Sequence, residues 1–193
     1  MTPHRPARTT AAALLGVDFT PLAHLADPWA LGRFAAGYSQ RVRCGSMGGR
    51  ANLVERDVTM REITQLTRGL RGWWRFEHME RHLPLIQEAL DRACAQAGAA
   101  GSTASAEGYV YGAGVTAPAV RELAATVHVQ VAGHRRVATD DATDTERWDL
   151  HPGDAAVLPA RCSHRSAAVT PSFSLVLTLP AATTAPQPDL ALA

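Results

Sequence analysis

Four residues in the second half of this chain are the candidates for moving protons or holding an anion: Glu122, His128, Arg135 and His164. An imidazole titrates near neutrality, and a carboxylate in a pocket can be tuned toward it, so His164 and Glu122 are candidates for general acid and base. A guanidinium presents a planar fork that binds a carboxylate through two hydrogen bonds, which is the chemistry open to Arg135. His164 ends the stretch Trp148-Asp-Leu-His-Pro-Gly-Asp-Ala-Ala-Val-Leu-Pro-Ala-Arg-Cys-Ser-His164, and an alternating run from Ser172 to Leu179 follows it. That pattern reads as strand, Gly-Asp turn, strand, and a histidine delivered at a barrel mouth. Tyr109 and Tyr111 read as aromatics of a core or a pocket wall, with His128 and Gln130 beside them.

The elements that must position these residues divide the chain in two. Asp27-Pro28 opens a helix toward Gly37, with proline at the first helical position and Trp29, Leu31 and Phe34 on one stripe. Arg41 to Cys44 alternates as a short strand before a glycine-rich loop, Gly45 to Gly49. Thr59-x-x-Glu62 is a capping box for a helix through Thr67, and Trp73 to Phe76 is a short aromatic strand. Pro84 opens a helix ending at Gly98, with Leu85, Ile86, Ala89, Ala93 and Ala97 at helical spacing. Ala99 to Ala106 reads as a small-residue linker. Short β segments follow: Tyr109 to Tyr111, Ala124 to Ala132, Arg135 to Ala138, then the closing strands. Helices first and strands later predict a helix-buttressed β-barrel.

The 193 residues suit one domain over residues 18–180, between a flexible leader at 1–17 and a disordered tail at 181–193. All 19 basic residues are scattered arginines and the net charge is +1, so nothing suggests a nucleic-acid partner. Three cysteines, Cys44, Cys94 and Cys162, lack metal-type spacing and fit reduced thiols in a cytoplasm. No run approaches the ~20 apolar residues of a membrane helix. Oligomeric state is not legible.

Four local patterns resemble the JmjC-type, cupin-like oxygenases, in particular the compact members that include the ribosomal oxygenases. Leu150, Pro152, Gly153, Asp154, Leu158, Pro159 and His164 match "L-x-P-G-D-x-L-Y-L-P-x-x-x-x-H", which supplies the last histidine of that family's iron site. Gly45-Ser-Met47 with Asn52-Leu-Val54 resembles "G-S-M-x-x-x-N-x-V". Val58-Thr59 through Leu66 is similar to "L-T-x-x-x-x-x-x-L", and Val127 to Arg136 to "V-F-V-L-Q-L-x-G-x-K/R-x-W". The resemblance covers Asp18 to Pro180 and implies a mainly β fold, a double-stranded β-helix with N-terminal helices packed outside. Larger members add a winged-helix dimerisation region beyond it.

The same resemblance places Val120 and Glu122 where the family's "H-x-D" supplies two metal ligands. Fe(II) in a facial triad needs two histidines and one carboxylate, and valine has no lone pair to give. His164 and Glu122 are thus at most weak metal ligands, with His128 as an improvised third. Arg135 falls where the family binds the distal carboxylate of 2-oxoglutarate. We expect a repurposed barrel enzyme acting on a small-molecule or carrier-bound intermediate by lyase, isomerase or cyclase chemistry, without a metal cofactor. Two alternatives remain open: an Fe(II)/2-oxoglutarate hydroxylase with an altered metal site, and a non-catalytic binding barrel.

Overall fold

The computed structural model describes residues 6–27, 30–31, 33–34, 37–38, 42–47, 53–57, 72–98, 104–139 and 146–180. The expected helix from Thr59 to Thr67 and the expected tail at 181–193 lie outside the described residues.

Eight strands form the barrel, and their order shows how. They are β5 (Ser105–Tyr111), β6 (Thr116–Arg121), β7 (Ala125–Ala132), β8 (Arg135–Thr139), β9 (Arg147–Leu150), β10 (Asp154–Leu158), β11 (Ser163–Ala168) and β12 (Ser172–Leu179). The chain passes back and forth between two sheets, so that β10, β7, β12 and β5 are neighbours in one and β6, β11, β8 and β9 in the other. All their pairings are antiparallel. This alternation is the double-stranded β-helix.

Four more strands widen the first sheet to eight. β2 (Val42–Met47), β3 (Leu53–Asp57) and β4 (Gly72–Phe76) extend it beyond β5, and β1 (Ala7–Thr10) covers the opposite edge along β10. Residues Gly45 to Met47 are therefore strand, since β2 pairs with both β3 and β4, and not the start of a loop. The linker expected through Ala106 is also shorter, because Ser105 and Ala106 already belong to β5.

A flexible leader over 1–17 is corrected for most of its length. Ala7 to Thr10 pairs with Val157 to Asp154, and Arg8 bonds the Asp154 carboxylate at 2.9 Å. The helix α1 (Ala11–Leu15) follows, capped by Thr10, and buries Ala11 and Leu15. Arg5 and Arg8 beside a short apolar run suggest a solvated leader, but the apolar residues fill the core.

The core lies outside the barrel, between the eight-stranded sheet and the helices. The helix α2 (Pro84–Gln96) has the predicted stripe, with Ile86, Ala89, Leu90 and Ala93 inward, and Gly98 follows it at a φ of 68°. With the 3₁₀ helix Thr20–Ala26 and the segment capped by Asp27, whose carboxylate accepts from the Ala30 N–H at 2.9 Å, it covers Phe76, Val110, Val127, Leu175 and Leu177. Period-2 alternation then sends the intervening residues of the same strands to the barrel interior. Cys94 and Cys162 are buried and joined in no disulfide. No helix among the described residues is long and apolar enough to cross a membrane.

Candidate functional site

The interior residues meet in one cavity of about 360 Å³, within the range of small-molecule sites. Tyr109 and Tyr111 from β5, His128 from β7, Arg135 from β8, His164 from β11 and Glu122 just after β6 all line it. Gln130 does not. Alternation turns it inward from β7, but its amide donates to the Ala132 carbonyl at 2.6 Å and its oxygen accepts from Ser174 at 2.7 Å. Its hydrogen bonds are used in joining β7 to β12, so Gln130 as a pocket residue is corrected.

Two backbone devices aim these side chains. Gly133 turns the chain from β7 into β8 at a φ of 74°, and a Cβ there would collide with the Pro171 carbonyl. This tight turn sets Arg135 at the start of β8 with its side chain inward, 3% exposed. In β6 the register against β11 shifts: His164 faces Val120, while Ser166 faces Ala117. Two residues, at 118 and 119, stand against Arg165, a β-bulge on an edge strand at a proline. The bulge lets Ala117 and Val120, three residues apart, share the cavity with Glu122.

Arg135 is held but not neutralised. Nη2 donates to Ser166 Oγ at 2.6 Å and lies 3.5 Å from the Tyr111 hydroxyl, and the guanidinium sits 4.8 Å from the Tyr111 ring centroid. Among the described residues Nε and Nη1 have no partner, and no carboxylate pairs with Arg135. A buried charge is costly unless it is paired and hydrogen-bonded, so Arg135 stands as a cation still in need of a counter-charge.

The two histidines stand edge to face, ring centroids 4.8 Å apart. Burial pushes both imidazoles below their ordinary pKa; His164 and Arg135 add to this at His128, and Arg135 adds to it at His164. Both rings are therefore neutral at pH 7. His128 Nε2 lies 3.1 Å from Thr126 Oγ1, while Nδ1 of each ring is buried without a partner among the described residues.

Sequence patterning does not disclose the second polar wall. Arg75 grips Glu107 through both carboxylate oxygens, with Nε to Oε2 at 3.0 Å, and Tyr109 donates to Oε2 at 2.8 Å. Burial and the Glu107 charge hold the Tyr109 phenol protonated. Glu122 faces this wall: burial raises its pKa, Glu107 raises it further, and Arg75 opposes them. The signal for Arg75 and Glu107 is present as charged residues inside strands of aromatic and apolar neighbours. What alternation does not show is that two residues 32 positions apart meet.

The residues present do not fit the iron triad. Val120 stands opposite His164 and offers no donor. Although His128 turns inward with Glu122 and His164, no group of three His, Cys, Asp or Glu side chains among the described residues is placed to hold a metal ion. Glu122 lies under the influence of Arg75 and Glu107. The improvised set of Glu122, His128 and His164 is thereby corrected.

No protein-family profile matches the chain, and no curated protein sequence matches it. Solved structures do. The Escherichia coli ribosomal oxygenase YcfD in complex with cobalt and succinic acid superposes with a TM-score of 0.71 at 15% identity, covering 93% of this chain and 49% of that one. YcfD with cobalt and 2-oxoglutarate gives a TM-score of 0.69 at 14% identity, over 91% of this chain and 48% of the other. The chain thus spans about half the length of the YcfD chains it matches. At such identities the likeness concerns the fold, and it agrees with the strand order: the chain has the double-stranded β-helix fold of the JmjC-type, cupin-like proteins.

Proposed function

We propose that the barrel binds a small organic acid, free or attached to a carrier, and rearranges it by proton transfer without iron-dependent hydroxylation. The observation that carries this reading is Arg135, a guanidinium 3% exposed with Nε and Nη1 unpartnered, on the wall of a cavity that also holds two neutral imidazoles. A carboxylate completes the Arg135 fork through two charge-assisted hydrogen bonds. YcfD has been crystallised with succinic acid and with 2-oxoglutarate, which are acids of the size this cavity takes.

The chemistry follows from the protonation states. Neutral His164 accepts a proton from the carbon beside a carbonyl; that C–H electron pair becomes a C=C bond, and the carbonyl oxygen takes a proton from Glu122. Glu122 suits the donor role because its pKa is raised. Where a further double bond is conjugated with the enol, protonated His164 delivers its proton to the distal carbon as the enol O–H returns its own to Glu122, giving an isomerase; where the neighbouring carbon bears a leaving group, that group departs with the C–X electron pair as the O–H returns its proton to Glu122, giving a lyase. Attack within the same molecule would make it a cyclase. No external oxidant or reductant is consumed.

Isothermal titration with succinate and 2-oxoglutarate in excess EDTA tests the binding step. Arg135→Ala is expected to weaken the acid by about 1.5–3 kcal/mol, the scale of hydrogen bonds to a charged group. Equal affinity in wild type and variant would remove the basis for this reading. A non-catalytic barrel would share the Arg135 result, and turnover lost in His164→Gln separates the two.

A further inference from the structure

Trp73 supplies a donor that neither the core nor the polar walls use. It lies on β4, paired across the strand with Tyr111, whose ring the Arg135 guanidinium covers. Its side chain lines the cavity and is 6% exposed. The indole Nε1 is buried and has no acceptor among the described residues. Its neighbour Trp74 turns the other way, into the core under the helices.

An indole N–H is a donor only; no tautomer or change of protonation can satisfy it. Buried tryptophans ordinarily find a partner for this group, and leaving the bond unmade is unfavourable. Trp73 Nε1 and Arg135 Nε and Nη1 are thus unpartnered donors on residues that adjoin the ring of Tyr111. Tyr111 is stacked with Tyr109 and covered by Arg135, with Trp73 beside it on the next strand, so the unpartnered donors stand at two places on one wall and ask for two acceptors on one ligand.

We infer that Trp73 is a specificity-determining residue, whose indole N–H binds a second acceptor oxygen on the acid that Arg135 holds. The cavity thereby selects acids bearing a further carboxylate, carbonyl or hydroxyl oxygen over simple aliphatic acids. This rests on the acid-binding reading above, and concerns which acids are taken.

The test is titration of the full chain with succinate and with butyrate, equal in chain length and different in the second acceptor, in EDTA. Wild type is expected to bind succinate about tenfold or more tighter than butyrate, the ratio that one charged hydrogen bond supplies. Trp73→Phe keeps an aromatic ring and removes the N–H, so the ratio should fall toward one with butyrate affinity unchanged. An unchanged ratio in the variant, or equal binding of both acids by wild type, overturns the inference while leaving the acid-binding reading intact. Binding of neither acid by wild type overturns both. If Trp73→Phe does not fold, the indole ¹H–¹⁵N resonance of Trp73, assigned through its contacts with Tyr109 and Tyr111, decides in wild type. A downfield shift with succinate and none with butyrate supports the role, and no shift with either overturns it.

Discussion

The two faces of the eight-stranded sheet are built from alternate residues of the same strands, yet they are finished to different degrees. On the outer face Phe76, Val110, Val127, Val129, Leu175 and Leu177 pack under the helices. On the inner face the same strands carry Arg75, Tyr109, Tyr111, His128 and Thr178 around a cavity, where Trp73 and His128, with Arg135 and His164 from the facing four-stranded sheet, keep polar atoms without partners among the described residues. Apolar burial is the main source of stability, so a sheet held by its outer face can leave its inner face incomplete. The cost of those unmade hydrogen bonds is the driving force available to a ligand that makes them.

If this division is right, Phe76→Ala should destabilise the protein most, by about 3–5 kcal/mol, because it empties a fully buried site packed by the rings of Phe34 and Tyr38. Urea denaturation followed by circular dichroism measures it. A loss under about 1 kcal/mol would place the core elsewhere.

The inner face should respond in the opposite sense. Arg135→Leu removes a buried cation with two unpartnered nitrogens, so stability should hold or rise while succinate affinity falls by about 1.5–3 kcal/mol. A variant that unfolds would show Arg135 to be structural. Smaller again is the effect of Val120→His with Glu122→Asp, which sets a second imidazole across from His164 in the β6–β11 register. Mn(II) affinity by titration should rise about tenfold or more, roughly 1.4 kcal/mol. No gain in a folded double variant would mean that the two strands do not present these positions to one point.

The pH dependence is the mildest test. The folded-state pKa values of His128 and His164 are depressed, so the unfolded chain takes up protons first as pH falls below 6.5. Stability is then full above that pH and declines below it, toward the folded values. Glu122 has the opposite sign: its raised pKa adds stability at low pH, and this is lost as pH rises from 4.5 through the folded value. Denaturation midpoints at about pH 7.5 and pH 5.5 should therefore differ less in His128→Gln than in wild type. An unchanged difference would mean that His128 is not buried neutral.

Most barrel strands are legible in the sequence, and the Gly-Asp turn at 153–154 fixes where β10 begins, but β6, which holds Pro118 and a bulge, shows no alternation and goes unpredicted. From them follows the meeting of Tyr109, His128, Arg135 and His164, since inward positions of antiparallel strands converge. Depth along the barrel is not legible: Gln130 has the same inward phase as His128 but lies beside Ser174, away from the cavity. The Arg75–Glu107 pair and the Trp73 donor depend on β4 lying beside β5, a neighbour relation that no local spacing encodes. The strand β1 escapes pattern reading because four residues of Ala, Arg and Thr carry no hydrophobic alternation, and its pairing partner is near the other end of the domain.

That pairing has a consequence for how the chain is made. Ala7 must wait for Val157, so β1 leaves the ribosome long before the strand it binds exists. At about 5–20 residues per second the wait lasts several seconds or more. A strongly apolar strand with open edges would be an aggregation hazard over that time, whereas Ala7-Arg-Thr-Thr10 is mostly exposed and polar and can stay solvated harmlessly. The feature that hides β1 from pattern reading is the one that suits it to be born early and docked late, once β10 has emerged.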